Sequence, residues 1–262
     1  MRAKKSFGQH FLNSESIARR IAQSLKQIGQ SYHHIVEVGP GKGMLTRFLT
    51  ESEAQLWLVE ADTDMVVYLN EHYPDLRKRI IEADFLKIDL RQVLQDQAFA
   101  LIGNYPYNIS SQILIKMVEN RAFIPEMVGM FQKEVAERVV SPPGTKDYGV
   151  ISVLVQAYYR GEYLFSVDKS KFNPPPKVQS GVIRLTRLEN QHLDCDEKLF
   201  KKVVKQAFSQ RRKMLRNTMK VYLKEDPVLA EPFFEQRPER LSVGDFVNLT
   251  KLVEKANSAE EG

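Results

Sequence analysis

Short apolar runs alternate with amphipathic stretches through the first two-thirds of this chain. Residues 33–38, 55–60, 79–83, 98–102 and 127–131 are brief runs rich in Val, Ile, Leu and Phe, and they predict strands. Between them, residues 43–51, 64–73, 110–119 and 133–140 carry apolar positions at the helical period. Strand–helix alternation of this kind builds a parallel sheet with helices on both faces. Such sheets bind ligands beyond the C-terminal ends of their strands, where the strand order reverses. Pro142-Pro143-Gly144 interrupts the pattern. Beyond it, residues 148–159 predict a helix, and 163–167 and 182–188 predict strands flanking a Pro174-Pro175-Pro176 loop. After Glu189 only helical periodicity remains, over 198–209, 211–224 and 243–256. The expected architecture is an α/β, Rossmann-like domain over residues 1–189 and a small all-α domain over 190–262.

The first strand leads into Glu37-Val38-Gly39-Pro40-Gly41-Lys42-Gly43, which opens a helix. Glycines let the backbone turn sharply and approach a ligand, and a helix N-terminus offers free N–H groups to an anion. Such a loop serves a dinucleotide, another nucleoside ligand or a plain tight turn. Glu60 narrows the choice. It ends the second strand 21 residues after Gly39, the spacing at which a carboxylate accepts from ribose hydroxyls. Asp84 ends the third strand, where a carboxylate suits an adenine amino group and Phe85 flanks the ring. Three polar strand ends beside one crevice imply an adenosine-containing ligand, either NAD or S-adenosylmethionine.

Asn104-Tyr105-Pro106-Tyr107 decides between them. It follows the apolar run 99–103, so an amide, a proline-fixed turn and an aromatic ring stand at a strand's C-terminal end. A dehydrogenase needs a proton donor with an orienting partner, and no such set is evident. A methyltransferase acting on an exocyclic amine needs what these residues offer. The Asn104 side-chain oxygen and a carbonyl near Tyr105 accept the amine's hydrogens, draw them out of the ring plane and localise the lone pair. Tyr107 stacks on the base, and Phe172, beside the proline loop, is the expected cover for its other face. A base held this way comes from single-stranded or flipped substrate. His33 and His34 read as strand-edge residues without a metal-binding pattern.

Composition limits the partners. Hydrophobic residues at 43% and charged residues at 27% are ordinary for a soluble globular protein, and no apolar run is long enough to cross a membrane. The basic N-terminus is not followed by a signal-peptide core. Cys195, the single cysteine, lies between two aspartates; it forms no internal disulfide, which fits a reducing cytoplasm, and reads as a bystander. The net charge of +5 is unevenly placed: residues 198–224 hold ten Lys or Arg and no Asp or Glu. A one-sign helical stretch implies a polyanion beside it. Arg211, Arg212, Lys213 and Arg216 are its candidate RNA contacts.

Several stretches together resemble the ribosomal RNA small-subunit adenine N6-dimethyltransferase family (the KsgA type), over nearly the whole chain. They are residues 6–13, Val38-Gly39-Pro40-Gly41 with Leu45-Thr46, residues 104–110 and 132–135, Phe172 through Lys177 with Ser180, and residues 208–213. The resemblance implies S-adenosylmethionine as donor and no metal. It implies transfer of two methyls to N6 of each of two adjacent adenosines in the 3′-terminal hairpin loop of small-subunit (16S) rRNA, within the immature 30S subunit. By the same resemblance, residues 1–30 cap the donor site. His10 and Leu12 lie over the donor's methionine part, Gly39 and its neighbour Gly41 contact it, Glu60 takes the ribose, Asp84 the adenine, and Asn104 serves donor and target. The chain departs from the family pattern in carrying His10 for Asn and Tyr105 for Leu. Alternatives are the sister activity on large-subunit rRNA and a non-catalytic assembly factor. No zipper-like seam is evident, and a monomer is expected.

Overall fold

The computed structural model describes residues 10–260. The resembling motif at residues 6–9, and with it the head of the expected donor cap, lies outside the described residues. The chain forms two compact units, one of residues up to 137 with 160–187, the other of residues 138–159 with 188–262. The expected boundary at 189/190 falls beside the second join, but the excursion over 138–159 differs from the expectation. Its physical reason is aromatic packing: Tyr148 lies 6.4 Å from Phe208, which stacks on Phe246 at 5.8 Å. Periodicity shows that a segment has an apolar face, not which core that face meets.

The first unit runs β1 (Phe11–Leu12), α1 (Glu15–Ala22), β2 (His34–Val38), α2 (Thr46–Leu49), β3 (Gln55–Glu60), α3 (Thr63–His72), β4 (Ile80–Glu82), α4 (Leu90–Val93), β5 (Phe99–Asn104), α5 (Ser110–Glu119), β6 (Glu126–Gln132) and the start of α6 (Lys133–Val140). After α7 (Val150–Gln156) of the other unit come β7 (Tyr159–Val167), β8 (Phe172–Asn173) and β9 (Ser180–Arg187). Seven strands form one sheet in the order β4-β3-β2-β5-β6-β9-β7. The pairs from β4 to β6 are parallel, whereas β9 runs antiparallel to β6, so the sheet is mixed and not wholly parallel. Ile35, Val36, Ala100, Leu101, Ile102 and Val128 have no exposed surface. Strands covered on both faces read as continuous apolar runs, which is why β2, β5 and β6 were legible. The order reverses between β2 and β5, so a crevice opens beyond their C-terminal ends.

Two details fix the N-terminal segment. β1 pairs antiparallel with β8, placing Leu12 opposite Phe172. At the other end of the sheet, fully buried Glu126 accepts from the amides of Lys26 and Gln27 at 3.0–3.1 Å and from the Tyr32 hydroxyl at 2.6 Å. A buried carboxylate is tolerated because three donors satisfy it.

The second unit is helical: α7, α8 (Glu197–Ala207), α9 (Leu215–Thr218), α10 (Lys220–Leu223) and α11 (Val243–Glu260). Asp196 caps α8, accepting from the amides of Lys198 and Leu199 at 2.7 and 3.0 Å. The expected helix over 211–224 is instead a turn and two short helices. Met214 is extended (φ −68°, ψ 153°), and the Leu215 amide donates to the Gln236 carbonyl. α2 starts later than expected because Gly43 sits at φ +74°, outside the right-handed helical region.

Candidate active site

The glycine turn, the ends of β3 and β4 and the turn after β5 surround a cleft of about 1010 Å³. His10, Leu12, Gly39, Gly41, Glu60, Asp84 and Phe85 all line it, together with residues 104–107. Gly39 and Gly41 take φ +66° and +55°, a region that side-chain-bearing residues rarely adopt. A Cβ at Gly41 would stand 2.9 Å from the Phe11 ring, so β1 closes over the turn. The sequence reading missed Phe11, although it sits between two residues singled out.

Glu60 is buried and clamps the turn. Its Oε2 accepts from the Gly41 amide at 3.0 Å, and Oε1 accepts from the Ala61 and Asp62 amides at 2.9 Å each. Oε2 thereby keeps one lone pair for a ligand hydroxyl. Burial raises its pKa above the usual carboxylate range; the three amides oppose that, and Asp62 adds to it. Asp84, at the rim, accepts from the Leu86 amide at 2.9 Å and lies 3.6 Å from Lys87, with Phe85 buried behind it. Glu37 was not singled out by sequence, yet it is 1% exposed and lines the cleft. Burial pushes its pKa up to about 8; the Thr46 hydroxyl, donating at 2.7 Å, opposes the rise, and the Glu60 charge adds to it.

At the end of β5, the Asn104 Nδ2 donates to the His10 carbonyl at 2.9 Å. A carbonyl only accepts, so the amide nitrogen is committed there and Oδ1 is the atom available to accept. The Tyr105 amide donates to the Met130 carbonyl at 3.1 Å, and its side chain is buried. Tyr107 is half-buried, hydrogen-bonded to Ser180 Oγ at 2.6 Å, with its ring centroid 5.5 Å from that of His10. Burial raises the Tyr107 pKa, and the Ser180 contact lowers it by less. His10 Nδ1 donates to the Pro174 carbonyl at 2.9 Å, so the proline loop holds the ring of His10.

Phe172 departs from expectation. It is 3% exposed and belongs to the hydrophobic core, so it does not cover a base in the cleft. Phe172 packs into the hydrophobic core together with Leu12, its register partner on β1, while Asn173 and Pro174 line the cleft. Among the candidate RNA contacts, the Arg211 guanidinium donates to the Lys146 carbonyl and Arg216 lies 3.6 Å from Glu235. Arg212 and Lys213 are exposed. No group of His, Cys, Asp or Glu among the described residues has the arrangement of a metal site.

A doubly wound sheet with a glycine turn, a carboxylate at each of the next two strand ends and an amide at the switch point defines a Rossmann-like, S-adenosylmethionine-dependent methyltransferase. The family model for ribosomal RNA adenine dimethylases matches residues 1–255, and the chain belongs to that family. The ribosomal RNA small subunit methyltransferase A of Bacteroides fragilis is 52% identical over 257 residues, covering 98% of this chain and 94% of its own. The protein of the same name from Flavobacterium johnsoniae is 50% identical over 254 residues, covering 97% of each. A crystal structure of a dimethyladenosine transferase from Plasmodium falciparum shares the fold, with TM-score 0.78 at 24% identity over 95% of this chain and 98% of its own.

Proposed function

We infer that this protein is an rRNA (adenine-N6,N6)-dimethyltransferase that uses S-adenosylmethionine on small-subunit (16S) rRNA. Its targets are two adjacent adenosines in the 3′-terminal hairpin loop of the immature 30S subunit, and the protein acts as a monomer in the cytoplasm. The observation that carries the site assignment is the Asn104 amide, fixed by the His10 carbonyl at the mouth of a cleft shared with Gly39 and Glu60.

The cleft's residues suit the donor. Glu60 offers one lone pair to the ribose, Asp84 faces the adenine edge against Phe85, and Leu12 and His10 cover the methionine part. S-adenosylmethionine supplies an electrophilic methyl on a sulfonium. Asn104 Oδ1 and the Tyr105 carbonyl accept the two hydrogens of the target amine. That localises its lone pair and aims it, so catalysis is positioning plus electrostatics. Tyr107, its hydroxyl tied to Ser180, stacks on the base. With no carboxylate at position 104, the methylated, cationic nitrogen would lose its proton to water after the methyl has moved. Arg212 and Lys213 contact rRNA phosphates.

Primer extension across both rRNAs from a strain lacking the protein tests this reading. Dimethyladenosine should vanish from the small-subunit rRNA and return on complementation. Loss confined to the large-subunit rRNA would overturn the choice of substrate.

A further inference from the structure

We propose that the Tyr105 side chain is a positioning residue for methyl transfer: its ring fills a recess made by Gly103 and Gly129 and thereby sets the Asn104–Pro106 turn. This rests on the reading that Asn104 Oδ1 and the Tyr105 carbonyl hold the target amine. Gly103 on β5 and Gly129 on β6 are register partners, so their missing side chains form one continuous recess. The Tyr105 ring occupies it. A Cβ added at Gly129 would stand 2.2 and 2.7 Å from the ring; one at Gly103 would stand 2.7 Å from the Val38 carbonyl and 3.0 Å from the ring. Phe131 closes the recess, its centroid 5.0 Å away. Gly129 and Gly103 are not among the glycines with positive φ. They are needed for space, not for backbone freedom, and the ring takes that space.

The backbone explains why a wedge is required. The amide of Tyr105 makes a last ladder bond to the Met130 carbonyl. Pro106 has no N–H to make another. The carbonyl between them, one of the two proposed amine acceptors, is therefore held from below by the ring. The Tyr105 hydroxyl is buried and finds no hydrogen-bond partner among the described residues. An unpaired buried hydroxyl is unfavourable, so the ring's shape, not its polar group, accounts for an aromatic residue here.

The test compares four variants with the parent enzyme in single-turnover methylation of small-subunit rRNA, alongside donor and RNA affinities and thermal melting. Tyr105→Phe, which keeps the ring, should transfer methyl faster than Tyr105→Leu and should melt above the parent, because the unpaired hydroxyl is gone. Tyr105→Leu should slow the chemical step by about tenfold or more, because sub-ångström looseness in a reacting group is costly. Its donor and RNA affinities should stay within about twofold of the parent, a split that general destabilisation does not produce. Gly129→Ala, which displaces the ring, should slow it likewise, and Gly129→Ala with Tyr105→Leu should recover much of the loss. A parent-like rate in Tyr105→Leu, a double variant no faster than the slower single one, or a Tyr105→Phe enzyme as slow as Tyr105→Leu would each overturn the proposal. Asn104→Ala, run in parallel, separates the two levels. If it is inactive while the Tyr105 series is flat, only the wedge fails; if Asn104→Ala is fully active, the amine-holding reading fails.

Discussion

Replacing Glu37 by glutamine removes an ionisable group without changing its shape. Glu37 is 1% exposed and accepts from Thr46 at 2.7 Å, a bond the glutamine oxygen accepts as well. Its carboxyl titrates at about 8 in the native protein, against 4.5 for the ordinary group. Between those values the native state holds a proton that the unfolded chain has lost. The parent's stability from this group is therefore complete below about pH 4.5 and is lost as pH rises through 8. At about 1.4 kcal/mol per pKa unit, the difference between glutamine and glutamate grows from near zero at the acid end to a ceiling of about 5 kcal/mol. Glu60 sits in both proteins and, to first order, cancels. Urea unfolding of both proteins at half-unit steps from pH 5 to 9 reads this directly. The variant should lie within about 1 kcal/mol of the parent at pH 5 and be several kcal/mol more stable at pH 8.5. A stability difference constant across that range would refute the reasoning.

Gly41→Ala should weaken donor binding by about tenfold or more, because a left-handed φ of +55° costs roughly 1–2 kcal/mol for alanine and the new methyl meets Phe11; calorimetric titration with S-adenosylmethionine checks it, and unchanged affinity would disprove the closed turn. Phe172→Ala should cost about 3–5 kcal/mol of stability as a core cavity, while Phe172→Leu should retain methylation; a folded but inactive Phe172→Leu enzyme would return this ring to the base site. Charge reversal at Arg212 and Lys213 should weaken RNA binding and flatten its salt dependence by about two phosphate contacts, with donor affinity unchanged.

What the sequence made legible was local. The strands β2, β3, β4 and β5 and the loops that follow them carry their chemistry in contiguous residues, so Gly39, Glu60, Asp84 and Asn104 could be placed beside one crevice from spacing alone. What escaped depended on distant partners. Phe172 joins a core that it shares with Leu12 of β1, its strand partner far away in the chain. Glu37 is an unremarkable acid in a glycine-rich motif until Thr46 and the sheet bury it. Residues 138–159 look like a continuation of the first domain, yet Tyr148 packs on Phe208, which in turn stacks on Phe246. The Gly103–Gly129 recess exists only once β5 and β6 are in register.

The central claim is that Asn104, locked by the His10 carbonyl, holds the target amine through its free oxygen. Methyl transfer by Asn104→Ala measured under single-turnover conditions, with donor and small-subunit binding measured on the same preparation, tests it most directly. Loss of one such interaction should raise the barrier by roughly 3–4 kcal/mol, slowing transfer by about 10²–10³, while the subunit still binds. Transfer at the parent rate, or loss of subunit binding in step with loss of transfer, would contradict it.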